Sequence, residues 1–160
     1  MTVKQLSVFV ENKPGKLVEA LETLSNADID LRALSLADTS DFGILRAIAD
    51  NPDKALEALT DAGFLVKSNE VLAVVIGDRP GGLAAIVRIL SEACVNIEYT
   101  YAFIGPNVLT GSDQQPLNQS SQRNRDVAYV IIRVDDNEAA IQALTTCGVV
   151  LLNDKELYNM

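Results

Sequence analysis

The chain has no histidine, no tryptophan and only two cysteines, Cys94 and Cys147. Without histidine, a Ser-His-Asp triad and a Cys-His pair cannot be assembled within one chain, and two isolated cysteines do not make a Cys/His zinc site. Carboxylates remain as acid/base groups, but no pair of them stands out by spacing. Cations are scarce too: 13 Lys and Arg against 22 Asp and Glu give a net charge of −9. That balance repels a phosphate backbone and argues against direct nucleic-acid contact. Long apolar runs are missing. Val71 to Ile76 is far short of the roughly 20 residues a bilayer requires, and the amino-terminal stretch ends at Val10, before Glu11, too early for the centre of a signal peptide. A soluble, cytoplasmic protein without membrane contact is expected. Both cysteines fall late in apolar helical patterns, where a small buried thiol is expected.

What is present is enough apolar material for a core: 48% of 160 residues, sufficient for one medium domain or two small ones. Self-comparison decides between them. Lys13-Pro14-Gly15-Lys16-Leu17 matches Arg79-Pro80-Gly81-Gly82-Leu83, and Leu24 to Leu31 matches Leu90 to Ile97, both at an offset of 66. Asp50, Leu59 and Gly63 match Asp135, Leu144 and Gly148 at an offset of 85, so the second copy carries an insertion of 19 residues. Charge is shared as a duplication requires: residues 1–68 hold 7 basic and 11 acidic groups, and residues 69–160 hold 6 and 11. Two domains, 1–68 and 69–160, are expected.

Each copy has the same punctuation. Gln5 to Val10 and Val71 to Ile76 are short β-rich runs that end in a Pro-Gly turn. Leu17, Leu21 and Leu24, matched by Leu83, Val87 and Leu90, recur at helical spacing. Ile29 to Ala37 and Val95 to Ile104 are extended, with Ile97, Tyr99, Tyr101 and Phe103 alternating onto one face. Phe42 to Ala49 and Val127 to Val134 supply a third strand. Asn51 before Pro52 caps a second helix that Gly63 ends; Asp136 or Asn137 and Gly148 do the same in copy two. Phe64 to Lys67 and Val149 to Leu152 finish the units, with about three residues, spanning at most roughly 10 Å, between copies.

The order βαββαβ, twice, with right-handed crossovers, predicts an α+β fold of two ferredoxin-like units. Each is an antiparallel four-stranded sheet of order 4-1-3-2 with both helices on one face. Units of about 70 residues bury modest cores, and strand 2 of each is an open edge that invites pairing. A homodimer is expected. The insertion, Gly105 to Arg125, is rich in Ser, Asn and Gln and lacks apolar period, so it is a polar hairpin loop or a lid over a neighbouring site.

The strand-1 turns carry the chemistry. Asn12-Lys13-Pro14-Gly15 and Asp78-Arg79-Pro80-Gly81 each join a polar side chain, a cation, a rigid proline and a glycine that lets a ligand approach the backbone. The helix behind presents unpaired amides suited to a carboxylate, while Asn12 or Asp78 could meet an ammonium group. A Pro-Gly step can equally serve only to start a helix. The segment Gly77 to Gly82 fits neither a P-loop nor G-x-G-x-x-G.

The ordered pattern Asp78-Arg79-Pro80-Gly81-Gly82-Leu83, a helix, then Leu90-Ser91-Glu92-Ala93-Cys94-Val95-Asn96-Ile97, present twice, resembles the ACT domain. That small regulatory domain is attached to aspartate kinase, phosphoglycerate dehydrogenase and other amino-acid enzymes. The resemblance covers nearly all of the chain outside the insertion, and it is nearest to stand-alone tandem ACT proteins without a catalytic domain. It implies amino-acid binding between paired domains, regulation of a partner enzyme or regulator, and no cofactor. In serine-binding members the ligand meets a polar residue before the basic-Pro-Gly step and an Asn that opens strand 2 of the adjacent domain. By resemblance these positions are Asp78, Arg79, Pro80 and Gly81 with Asn96 and Ile97, and, in copy one, Asn12, Lys13, Pro14 and Gly15 with Asp30 and Leu31. Asp78 and Asp30 depart from the family's Asn and would repel a carboxylate, so asymmetric use of the copies is expected. A pure interaction protein and an enzyme built on carboxylates such as Asp78 are the competing classes.

Overall fold

The computed structural model describes residues 1–38, 41–105 and 127–159. Its first compact unit spans Thr2–Val71, joined by Leu157–Asn159. It contains β1 (Val3–Glu11), α1 (Lys16–Asn26), β2 (Leu31–Asp38), β3 (Phe42–Ala49), α2 (Pro52–Asp61) and the front of β4 (Leu65–Gly77). The strands lie in the order β2-β3-β1-β4, all antiparallel, which is the expected interlocked arrangement. Leu6, Val8, Val10 and Leu45 of the sheet pack on Ala20, Leu24, Ala55 and Leu59 of the two helices. Burial of each leucine or valine side chain among these contributes about 1.5–3 kcal/mol.

The second unit spans Leu72–Glu156. It uses the rest of β4, then α3 (Gly82–Glu92), β5 (Ile97–Gly105), β6 (Val127–Val134), α4 (Asn137–Thr146) and β7 (Val150–Leu152). The pairings β5-β6, β6-β4 and β4-β7 repeat the antiparallel order of the first unit. Leu72, Val74 and Val130 pack on Ile86, Leu90, Ala140 and Leu144, the residues that correspond in sequence to the first core. Tyr99, Tyr101 and Phe103 share one strand face, and Phe103 stacks on Tyr129 with ring centroids 5.2 Å apart, but Ile97, expected on that face, packs on the core instead because the register shifts between Ile97 and Tyr99.

Local chemistry accounts for the helix ends. Asn51 Oδ1 accepts the Lys54 amide at 3.1 Å with Pro52 in the first turn, and Asp136 Oδ1 accepts the Ala139 amide at 3.0 Å. At the other ends Gly63 (φ 86°) and Gly148 (φ 73°) reverse the chain from the left-handed region.

Four other expectations change. No connecting segment separates the copies: Ser68, Asn69 and Glu70 are strand, in register with Leu6, Gln5 and Lys4 of β1. The helix stripe holds in the first unit, where Leu24 is buried and Leu17 and Leu21 pack on the core, but in the second only Leu90 is buried while Leu83 and Val87 are exposed and Ile86 takes the inward place. Both cysteines are exposed. Cys94 (φ 57°) sits where α3 ends in a left-handed reversal, with the Cys94 amide on Ser91 O and the Val95 amide on Leu90 O, which directs Val95 inward and Cys94 outward. Cys147 is the C-cap of α4, one residue before the same reversal at Gly148. Finally, a short helix α5 (Asp154–Tyr158) follows β7, where none was expected. Asn153 and Glu156 cap its start reciprocally, at 2.8 and 3.1 Å. Leu157 is fully buried, the Tyr158 hydroxyl accepts the Lys4 amide at 2.9 Å, and Arg32 Nε donates to Tyr158 O at 2.9 Å.

The insertion lies outside the described residues apart from Gly105, the last residue of β5. No helix among the described residues is long and apolar enough to cross a membrane.

Candidate functional site

The two Pro-Gly turns have one geometry. Gly15 (φ 89°) and Gly81 (φ 87°) are the N-caps of α1 and α3, in a conformation that side chains rarely adopt, and neither helix receives a side-chain cap. Lys13 N–H donates to Glu11 O at 2.8 Å and Lys16 N–H to Lys13 O at 3.2 Å; Arg79 N–H donates to Gly77 O at 2.8 Å and Gly82 N–H to Arg79 O at 3.1 Å. Asn12, Lys13, Pro14 and Gly15 are exposed, as are Asp78, Arg79, Pro80 and Gly81.

The strand-2 openings are also built alike. Asp50 Oδ1 accepts the Asp30 amide at 3.1 Å while the Asp50 amide returns to Asp30 O at 3.0 Å. Asp135 does the same for Asn96, at 3.0 and 3.2 Å. The first-unit opening has its own counter-ion, because Arg32 holds the Asp30 carboxylate at 2.8 Å. Arg32 corresponds to Glu98 in the second unit, so no such cation stands beside Asn96 on β5. The Asp50 and Asp135 clasps are polar features that the turn motif alone does not reveal, although the offset of 85 pairs them.

Within the second unit the expected residues fall on two different depressions. Arg79, Pro80 and Gly81 line a cavity of about 380 Å³ between the end of β4, the start of α3 and the turn before β7. Asn96 and Ile97 line another, of about 360 Å³, with Val87, Ser91 and Cys94. Asp78 lines neither. One chain therefore does not bring the Pro-Gly turn and Asn96 into a common pocket of this unit.

The first unit has a cavity at the place equivalent to the Arg79 cavity, but of only about 230 Å³, lined by Phe9, Glu11, Lys16, Glu19, Phe64 and Leu65 among others. None of Asn12, Lys13, Pro14, Gly15, Asp30 and Leu31 lines it. Position for position, Phe9, Glu11, Lys16, Glu19 and Phe64 become Val75, Gly77, Gly82, Ala85 and Val149. Charge changes with volume. In the first unit Lys16 Nζ meets Glu19 Oε2 at 2.7 Å and Lys13 Nζ meets Glu11 Oε1 at 3.4 Å. The hydrogen bond and charge of Glu19 hold the Lys16 ammonium above its ordinary pKa of 10.5. In the second unit all three lining charges are gone, and Arg79 keeps no carboxylate beside it among the described residues. Gly82 is also fixed by space, since a Cβ there would meet Gly77 O at 3.0 Å.

Gly77, Gly82, Ala85 and Val149 were not among the residues expected at the site. Their signal was available as small-for-large replacements between aligned copies. Among the described residues no group of three or more Cys, Asp and Glu side chains is placed to hold a metal ion.

The family model for an ACT domain pair matches residues 1–113. Protein BT0572 from Bacteroides thetaiotaomicron, known as a crystal structure, is 38% identical over 100% of this chain and 98% of its own, with a TM-score of 0.84. The regulatory subunit of aspartate kinase from Thermus thermophilus, in its ligand-free form, is 16% identical, with 91% of each chain covered and a TM-score of 0.56. Its counterpart from Thermus flavus is 17% identical over 91% of this chain and 92% of that one, with a TM-score of 0.55. These last two share the fold. No curated protein sequence matches. With the family model covering most of its length and a full-length relative well above 30% identity, the chain belongs to the ACT domain family, as an ACT domain pair.

Proposed function

We propose that the protein is a regulatory module of two ACT domains, 1–68 and 69–160, that senses an amino acid and passes its occupancy to a partner enzyme or regulator in the cytoplasm. The observation that carries this reading is the uncapped, left-handed Gly81 turn beside an open cavity that its own residues Arg79, Pro80 and Gly81 line. Fold likeness to regulatory subunits of aspartate kinase supports it. The ligand would lie between Asp78, Arg79, Pro80 and Gly81 of one domain and Asn96 and Ile97 of an adjacent one. A homodimer supplies that adjacency, because within the second unit the two groups line separate depressions. The first-unit set, Asn12, Lys13, Pro14, Gly15, Asp30 and Leu31, is the weaker site, with Asp30 already neutralised by Arg32.

A thermal-shift screen of the full chain against the common amino acids tests the reading. A ligand that binds only the folded state raises the melting temperature, by an amount set by its concentration over Kd. A flat response from folded protein rejects it. Light scattering that shows a monomer in the presence of a bound ligand rejects the shared site.

A second reading, an adaptor that binds a partner protein without a ligand of its own, draws on β2. Leu34 and Leu36 are 56% and 47% exposed on this outer strand, which among the described residues pairs only with β3. That reading predicts that Asp78→Ala and Asn96→Ala change nothing, while Leu34→Ser weakens assembly.

A further inference from the structure

We propose that α5 is a latch, governed by the second unit, that closes the strand-2 opening of the first. Tyr158 fastens it, by gripping the backbone of Lys4 and fixing Arg32 over Asp30. This device needs no ligand and goes beyond the sensor reading.

Duplication does not call for α5. The first copy completes its four strands without a helix after the last, and at the offset of 85 the residues of α5 correspond to Asn69–Ala73, which run on as β4. Arg32 is equally unshared, because its counterpart is Glu98. Helix and guanidinium each occur in one copy only, and they meet: Arg32 Nε donates to Tyr158 O at 2.9 Å.

The contacts at the docked end are few and specific. β1 is in register with β3 from Leu6↔Ala47 to Glu11↔Phe42, so Lys4 lies past the last pair of that ladder. There the Tyr158 hydroxyl stands in for a strand, accepting the Lys4 amide at 2.9 Å and donating to Lys4 O at 3.4 Å. Backbone groups at a strand edge need such partners or invite another strand. The Tyr158 carbonyl then fixes the Arg32 guanidinium, whose planar fork lets Nη1 meet Asp30 Oδ2 at 2.8 Å. One residue sets both the β1 edge and the charge at Asp30.

A helix of five residues has little stability of its own. Asp154, Lys155 and Glu156 are exposed, and within α5 the side chain of Leu157 alone is fully buried. The grouping of contacts changes at the same point, since Leu157–Asn159 belong to the first unit and Glu156 to the second. With so few anchors, all at one end, α5 has two discrete states, docked or released. What starts the helix lies in the second unit, directly after β7: Asn153 Oδ1 accepts the Glu156 amide at 3.1 Å, and Glu156 Oε2 accepts the Asn153 amide at 2.8 Å. Loss of that reciprocal cap releases the latch, and a change in β7 reaches Lys4 and Arg32 through it.

Exchange of amide and arginine Nε–H protons, followed by NMR on the full chain, tests the latch. Tyr158→Phe removes the hydroxyl but keeps the carbonyl that Arg32 uses. The Lys4 amide should exchange about fivefold faster, the effect of one lost hydrogen bond, and Arg32 Nε–H should quicken with it. A hydroxyl that merely caps Lys4 would leave Arg32 unchanged, and that result overturns the proposal. Asn153→Ala acts on the cap, in the second unit, yet it should speed both protons about fivefold. Asn153→Ser, which keeps a capping oxygen, should restore the slow rates. The Asn96 amide, counterpart of Asp30, should hold its rate in every variant, and melting curves establish that each folds. Lys4 and Arg32 unmoved by Asn153→Ala would mean that α5 carries nothing from the second unit. Asn96 quickened as much as Lys4 would mean that the variants loosen the whole fold, and either result overturns the latch.

Discussion

Beneath its Pro-Gly turn the first unit holds Phe9, Phe64 and the Lys16–Glu19 pair, and at the same positions the second unit holds Val75, Val149, Gly82 and Ala85. Elsewhere the copies agree closely. Gly15 and Gly81 adopt the same left-handed cap, Asp50 and Asp135 clasp the same strand openings, and Leu59 and Leu144 occupy the same place in two cores. Folding requirements explain the agreement, because a helix start or a core leucine is needed whether or not a ligand binds. They do not explain the disagreement. A repeated motif is therefore weak testimony about function, and the lining residues at which the copies part are the stronger.

If the cores are equivalent and only the cavities differ, truncation of matched core residues must cost the same. Leu59 and Leu144 are both fully buried. Leu59→Ala and Leu144→Ala should each destabilise by about 2–5 kcal/mol, the range for a buried leucine, and within about 1 kcal/mol of each other. Urea unfolding followed by circular dichroism measures both. A difference beyond that range would show that divergence reaches the core.

Much of this comparison was legible in the sequence. The offsets of 66 and 85 locate the two units, their strand order, the cap at Asn51 and its counterpart at Asp136 or Asn137, of which the structure uses Asp136, because these depend on residue chemistry that acts locally. The continuity of β4 was not legible: Ser68, Asn69 and Glu70 are polar and bear the look of a loop, yet their backbone pairing with β1 leaves no mark on side-chain type. The exposure of Cys94 was hidden for a related reason. A left-handed reversal at a non-glycine residue is decided by the hydrogen bonds of the helix end, and these carry Val95, not Cys94, into the core. The cavity was readable in principle, from five small-for-large exchanges around one turn, but only by attending to mismatches where alignment rewards matches.

The Asp50 and Asp135 clasps provide a finer check. Each carboxylate accepts an amide of the strand-2 opening, and a hydrogen bond to a charged group contributes roughly 1.5 kcal/mol. Asp135→Ala should lose about that much. Asp50→Ala should lose a similar amount, because its amide bond to Asp30 O persists in the variant as it does in the other copy. The Arg32 bridge, which the second unit lacks, tests the asymmetry directly: Arg32→Ala should disturb Asp30 and the Tyr158 contact while leaving Asn96 unmoved in amide spectra. Equal shifts at Asp30 and Asn96 would contradict the independence of the two openings.

The smallest effect concerns the pair that fills the first cavity. Glu19 raises the Lys16 pKa first through its hydrogen bond and then through its charge, Glu11 adds to the rise, and a slight desolvation opposes it. A folded-state pKa above the unfolded one gives stability that is complete below the ordinary value of 10.5 and is lost as pH climbs through the raised value. The Lys16 side chain is 41% exposed and its pair is screened by water, so the loss should be too small to move a melting curve at neutral pH. The titration itself is measurable by carbon-detected NMR of the lysine side chain. Lys16 should titrate above 10.5, Glu19→Gln should return it most of the way, and Glu11→Gln should lower it less. A Lys16 that titrates at its ordinary value with Glu19 intact would mean that the pair does not persist in solution. The first cavity would then be no more closed by charge than the second, and the contrast between the copies would rest on Phe9 and Phe64 alone.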